Sequence, residues 1–220
     1  MTSVAQTLAA RFSCRAFRPQ PVPSDVILRI VDAARLAPSW SNTQPWGLVV
    51  TQPETTRTLA ERLLAKAARE APPAPDVSFP PGFDGVYMAR RREVGFGLYA
   101  ALGIAREDRA GRAAQHLENF RFFGAPHVAV LTMPAGMGAY GALDVGGFLV
   151  SFLLAAEAEG VATIAQAALA AYAPTLRETL AIPADREVLC GVSFGYADPD
   201  HPANRYRATR APRDEILRFV

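Results

Sequence analysis

Ala37-Pro38-Ser39-Trp40-Ser41-Asn42-Thr43-Gln44-Pro45-Trp46 lies between an amphipathic helix pattern and an apolar strand pattern. Pro38 has no backbone donor to give the helix before it, and Pro45 is expected to restrict Gln44 to an extended conformation. Ser39, Ser41, Asn42, Thr43 and Gln44 all donate and accept hydrogen bonds. Trp40 and Trp46 add flat apolar surface beside them. A stiff, amide-rich loop of this kind suits a flat heterocycle with polar edges; the plainer alternative is a helix-to-strand turn. Upstream, Ile27, Ile30, Val31 and Ala34 repeat at helical spacing after Ser24, which is expected to cap the helix. Downstream, Trp46–Val50 reads as a strand.

Helical patterns are expected at Val4–Phe12, Pro53–Arg69, Tyr87–Leu102, Arg109–Phe122 and near Pro174–Leu180. Strands are expected at His127–Thr132, Val161–Ile164 and Val188–Phe194. Ala16–Pro23 is extended by its prolines. Ala142–Glu159 is a helix apolar on nearly every side, so it has to be covered all round, in the domain centre or at a subunit interface. Ala71–Gly85 carries five prolines and two glycines and forms an excursion, either a lid or a partner-wrapping arm. Helices interspersed with few strands predict one sheet in a single α+β or α/β domain over residues 1–220.

The chain has 220 residues, half of them hydrophobic and a fifth charged, with a net charge of +2. That charge is too small to predict nucleic acid or an acidic membrane as a partner. The most apolar window, Leu143–Ala156, is interrupted by Asp144, Gly146 and Gly147 and falls short of a span of about 20 residues. No secretory signal is read at the start, and the two cysteines, Cys14 and Cys190, lack zinc spacing. A reducing, cytoplasmic setting follows as an expectation. Cys14 between arginines is either an acidified thiol or a small buried filler.

Arg11-x-Ser13-x-Arg15 enters an extended segment, where alternate residues point the same way. Two guanidinium forks and a hydroxyl make a phosphate receptor. Arg205, Arg207 and Arg210 form a second group that can meet the first if the tail folds back. Gly136-Met137-Gly138-Ala139-Tyr140-Gly141 fits a dinucleotide fingerprint in form. Three residues separate it from its strand, however, and no acidic residue ends the next strand. It is better read as a loop beside a site, with Met137 and Tyr140 facing a substrate. His116, His127 and His201 are far apart, and His127 reads as a satisfied histidine at a strand start. With no nucleophile elbow, carboxylate pair or metal spacing, a bound cofactor is expected to carry any chemistry.

The arginine start, the Pro38-Ser39…Asn42-x-Gln44-Pro45-Trp46 loop, Gly160–Ala168 and the Gly195-Tyr196…Asn204…Arg210 ending together resemble the FMN-dependent nitroreductase family. Tyr87-x-x-Arg90-Arg91 and Asn119-Phe120…Phe123-Gly124-Ala125-Pro126 resemble its nitroaromatic-reducing branch. The resemblance implies an α+β fold with a central mixed sheet flanked by helices. It also implies an intertwined homodimer whose tail, about 197–220, wraps the partner. FMN would be held at its phosphate and ribityl chain by Arg11, Ser13, Arg15 and Arg210. Some relatives carry a basic residue where Ala208 stands, which moves that role to Arg207. Pro38, Ser39 and Asn42, with Gln44 nearby, would reach the flavin from the other subunit. Backbone donors of Ala165, Gln166 and Ala167 would approach flavin N5 and O4, and Asn119 the ring. Others in the family have Glu-Gly where Ala167-Ala168 stand. The implied activity is ping-pong hydride transfer from NADH or NADPH through N5 to a nitroaromatic or quinone-like small molecule. Reductive dehalogenation, flavin cleavage and non-catalytic flavin binding are alternatives on the same scaffold.

Overall fold

The computed structural model describes residues 3–220. Helix α1 (Val4–Ala10) starts at a reciprocal cap: Ser3 accepts the Gln6 N–H at 3.2 Å while the Gln6 side chain accepts the Ser3 N–H at 2.7 Å. Helix α2 (Ser24–Ala34) buries Ile27, Ile30 and Ala34. Its cap position is Pro23 without a side-chain bond, so Ser24 is the first helical residue and not the cap expected.

Strand β1 (Gly47–Val50), helices α3 (Pro53–Ala68), α4 (Gly85–Ala101) and α5 (Arg109–Leu117), and strand β2 (His127–Pro134) follow. Then come α6 (Gly138–Ala158), β3 (Ala162–Gln166), α7 (Ala173–Leu180) and β4 (Arg186–Gly195). The four strands form one sheet in the order β1-β2-β4-β3, and every neighbouring pair is antiparallel. The mixed character expected of the sheet is reduced to one isolated parallel bridge, Ser13 to Thr163.

Period-two alternation gives the sheet two faces. Val128 and Val130 pack on one side with Leu59 and Leu63 of α3 and Leu176 of α7. Ala129, Leu131 and Met133 pack on the other with Ile30 of α2 and Val145, Phe148 and Phe152 of α6. The register with β4 shifts between Leu131 and Thr132, leaving Leu189 as the extra residue. This bulge turns Val188 to the α3 side while Val192 and Phe194 stay on the α6 side.

Two elements depart from the sequence pattern. The expected Arg109–Phe122 helix ends at Leu117, and Glu118–Gly124 continues as 3-10 turns. Phe122 and Phe123 both take left-handed φ, at 57° and 54°, with their rings buried. Two buried aromatic rings outweigh a conformation that bulky side chains otherwise avoid. Helix α6 is covered on one stripe only, Gly141, Val145, Phe148, Phe152 and Ala156. Its opposite side leaves Leu143 70% and Val150 50% exposed, so central burial within one protomer is ruled out. By length and composition α6 could cross a membrane, yet it lies packed against the sheet and α2.

The Ala71–Gly85 excursion is pinned to its own chain at its first half. Ala74 N–H donates to the Ala171 carbonyl at 2.7 Å, and Asp76 accepts from Arg177 at 2.7 Å and from the Val188 N–H at 2.8 Å. The tail likewise docks on its own α4: the Thr209 hydroxyl bonds Glu93 at 2.6 Å and Arg90 pairs with Glu215 at 2.5 Å. Ile216, Leu217, Phe219 and Val220 remain exposed beyond it.

Candidate functional site

The two ends of the chain are sewn together by Asn204. Its side-chain carbonyl accepts the Arg15 N–H at 2.7 Å, and its amide donates to the carbonyls of Ala16 and Asp198, both at 2.8 Å. The Arg18 N–H to Tyr196 carbonyl bond (2.8 Å) and the Asp198 N–H to Ala16 carbonyl bond (3.0 Å) continue the seam. A cleft of about 360 Å³ opens beside it, lined among others by Arg11, Ser13, Arg15, Arg207 and Arg210. No carboxylate lines this cleft. None of its four arginines forms an ion pair among the described residues. Four arginines lining one cleft without a counter-charge create a field that calls for an anion.

Each arginine is held differently. Arg207 lies over the Phe12 ring at 4.0 Å and donates to the Asn204 carbonyl at 2.6 Å. The Nη1 of Arg210 is turned back to the Ala208 and Thr209 carbonyls. The Nη1 of Arg15 reaches the Ser13 carbonyl at 3.2 Å, and burial pulls the Arg15 pKa below its ordinary value against a smaller opposing influence of Tyr206. Arg205 is not part of the cleft; it bonds the Asp200 carbonyl at 3.3 Å. Cys14 is fully buried with its thiol on the Ala16 carbonyl, and burial pushes its pKa up to about 11. The acidified-thiol alternative is thereby removed.

Arg15 also lines a second cleft of about 250 Å³ with Asn119, Ala165, Gln166, Ala167 and His116. The two clefts therefore meet at one side chain. Gln166 is buried: its amide donates to the Asn119 carbonyl at 2.9 Å, and its carbonyl accepts from the Ser193 hydroxyl. Its side chain is thus spent on holding Asn119 and β4, and only its main chain is left to face a ligand. Ala167 opens a 3-10 turn, Ala167–Tyr172, whose first N–H groups lie ahead of any acceptor in the turn. His116, which the sequence left without company, stands on this rim with its ring edge-on to Phe120. His127 is a core residue, bonding the Thr51 carbonyl at 2.8 Å through Nδ1 and accepting the Val22 N–H at 3.1 Å through Nε2.

Pro38, Ser39, Asn42 and Gln44 line neither cleft. Their loop is internally tied: the Gln44 N–H donates to Ser39 Oγ at 2.9 Å and the Gln44 amide to the Asn42 carbonyl at 3.1 Å. Ser41, Asn42 and Gln44 all have positive φ, so Gln44 is not extended as expected before Pro45, and the strained run needs outside support. Two residues missed in the sequence supply it. Asp144 accepts the Trp40 N–H at 3.1 Å, and Arg186 donates to the Pro45 carbonyl at 3.0 Å and to Thr132 Oγ1 at 2.7 Å. Both lie more than a hundred residues away, so no local pattern marks them. Gly47 completes the fit, since a Cβ there would stand 2.5 Å from Arg186 Nη2. Arg186→Met should lower stability by about 1–3 kcal/mol. Thermal melts check the loss, and unchanged proteolysis of the Ser39–Pro45 loop would refute the bracing role. Gly136 and Gly141 line a third cleft with Trp40, Met137 and Tyr140, and the Trp40 and Tyr140 rings lie 5.0 Å apart.

Residues 8–196 match the family model described as the nitroreductase family. The chain is 40% identical over 213 residues to the nitroreductase NfnB of Mycolicibacterium smegmatis, covering 96% of this chain and 90% of that protein. It is 36% identical to the 4-nitrobenzoate reductase of Pseudomonas putida, covering 97% and 93% respectively. The crystal structure of the FMN-dependent NfnB from Mycobacterium smegmatis in complex with NADPH superposes with a TM-score of 0.93 at 39% identity, covering 99% of this chain and all of that one. The arginine cleft, its seam and the braced amide loop therefore sit on a known scaffold, and the chain belongs to the nitroreductase family.

Proposed function

We propose that the protein is an FMN-dependent oxidoreductase that spends NADH or NADPH on reducing nitroaromatic or quinone-like molecules. The carrying observation is the carboxylate-free cleft of four arginines, which fits a phosphate of FMN. Arg11, Ser13, Arg15, Arg207 and Arg210 hold the phosphate and ribityl end. The main chain of Ala165, Gln166 and Ala167 faces the ring edge in the adjoining cleft, with Arg15 common to both. FMN supplies the electron-transfer chemistry that no cluster of side chains here offers.

The protein's own part is placement. Asn204 fixes the two arginine groups relative to each other, and Gln166 fixes Asn119 on the rim. The reading includes a homodimer in which Pro38, Ser39, Asn42 and Gln44 come to the flavin from the partner subunit. The uncovered side of α6 and the absence of any buried residue in α4 support it. A cytoplasmic location goes with it, supported by two cysteines that are free and carry no bridge.

Purified protein should be yellow with one FMN per chain. It should bleach on anaerobic NADPH and regain colour on adding 4-nitrobenzoate, while sedimenting as a dimer. Colourless protein that ignores added FMN overturns the proposal.

A further inference from the structure

Strand β4 is longer than the neighbour on one of its sides. β3 pairs with it only from Gly191 to Gly195, while β2 stays paired down to Arg186. Past the bulge, the edge of β4 turned away from β2 therefore has no strand beside it. Two side chains take that place. Asp76 Oδ2 accepts the Val188 N–H at 2.8 Å, and Arg177 Nη2 donates to the Arg186 carbonyl at 2.9 Å. The same two atoms pair with each other at 2.7 Å. From Arg186 the path continues outward. Its side chain is anchored on Thr132 and donates to the Pro45 carbonyl, which braces the amide loop. An unbroken run of hydrogen bonds thus joins the proline-rich excursion to the loop.

Asp76 is the member that keeps this path closed. Val188 is fully buried, so without the carboxylate its N–H would be left inside with no acceptor. Arg177 already has its Nε buried without a partner. Deprived of Asp76, its guanidinium gains by turning to water, and it would leave the Arg186 carbonyl as it goes.

We propose that Asp76 is a positioning residue for the Ser39–Pro45 loop, acting through Arg177 and Arg186. This deepens the function proposed above and rests on it for one link, that Ser39, Asn42 and Gln44 reach the flavin.

The test is hydrogen–deuterium exchange on purified full-length protein, reading the Ser39–Trp46 loop against the His127–Leu131 part of β2. Asp76→Ala should speed exchange in the loop by about 5- to 30-fold while β2 stays within about twofold. Asp76→Asn keeps an oxygen for the Val188 N–H but no charge for Arg177, so it should give a smaller rise in the same loop. On an Arg186→Met background, Asp76→Ala should add less than about twofold, because the path is already cut. Unchanged loop exchange overturns the proposal. So does an equal rise in loop and β2, or a full rise on the Arg186→Met background. FMN titration of the same variants reports on the functional reading separately, and weaker binding is expected in Asp76→Ala. Unchanged FMN affinity beside faster loop exchange leaves the relay standing and overturns the loop's place at the flavin. If the unmodified chain binds no FMN, the proposed function fails, and the exchange result still decides the role of Asp76.

Discussion

Arg15→Ala weakens FMN binding by about 10- to 100-fold, more than the same change at Arg210. A hydrogen bond to a charged group contributes about 1.5–3 kcal/mol, and each 1.4 kcal/mol is about tenfold in affinity. Arg15 should sit at the top of that range for three reasons. It is the one arginine that lines both the phosphate cleft and the adjoining cleft of Ala165–Ala167. Its main chain is clamped by Asn204 at 2.7 Å, so its donors are aimed before a ligand arrives. Burial lowers its pKa, which means that water has already been stripped from part of the charge and an anion gains more by pairing with it. Arginine stays protonated nonetheless. Arg210, by contrast, already gives Nη1 to two carbonyls of its own segment. Arg15→Lys should restore little, because a point charge cannot reproduce a fork that serves two clefts. Flavin fluorescence titration at low and high salt measures all three variants. Equal losses at Arg15 and Arg210, or none at Arg15, would show that the cleft does not hold the phosphate as assigned.

The contrast between these arginines marks how far residue order alone reaches. Arg11-x-Ser13-x-Arg15 and the distant Arg207 and Arg210 are visible as two basic groups, and the fold does bring them to one cleft. The agent that joins them, Asn204, is a single asparagine whose partners lie almost the whole chain away. The amide loop shows the same limit. Its polar side chains are plain in the sequence, but the left-handed φ at Ser41 and Gln44 is not, because serine and glutamine have no preference for that region. Arg186 and Asp144 impose it from other elements. In α6 the apolar composition is legible while the choice of covered side is not: the sheet takes Val145, Phe148 and Phe152, and any of several stripes would have satisfied the same pattern.

Asn204→Leu should be the most damaging single change outside the sheet. The residue is 5% exposed, and its side chain satisfies the Arg15 N–H and the carbonyls of Ala16 and Asp198 together. Leucine keeps the branched shape, is bulkier, and deserts all three. An unsatisfied buried polar group costs about 1–3 kcal/mol, and with partial relaxation the total should be about 3–5 kcal/mol. For a chain of this length that lowers Tm by about 6–20 °C. The loss can be taken globally, or the seam can open locally and free the tail while the sheet stays intact. The second course is favoured, since beyond the seam the tail is held chiefly by exposed pairs, Thr209 with Glu93 and Arg90 with Glu215. Trypsin should then cut after Arg205, Arg207 or Arg210 well before it attacks the rest of the chain. FMN affinity should fall in parallel, because Arg207 and Arg210 would no longer face Arg11 and Arg15. Asn204→Asp separates the contributions: it can still accept the Arg15 N–H but sets a carboxylate against two carbonyls, so it should fare no better than leucine. A variant that melts like the unmodified protein and keeps its tail protected from trypsin would show that the two arginine groups are joined by something other than this asparagine.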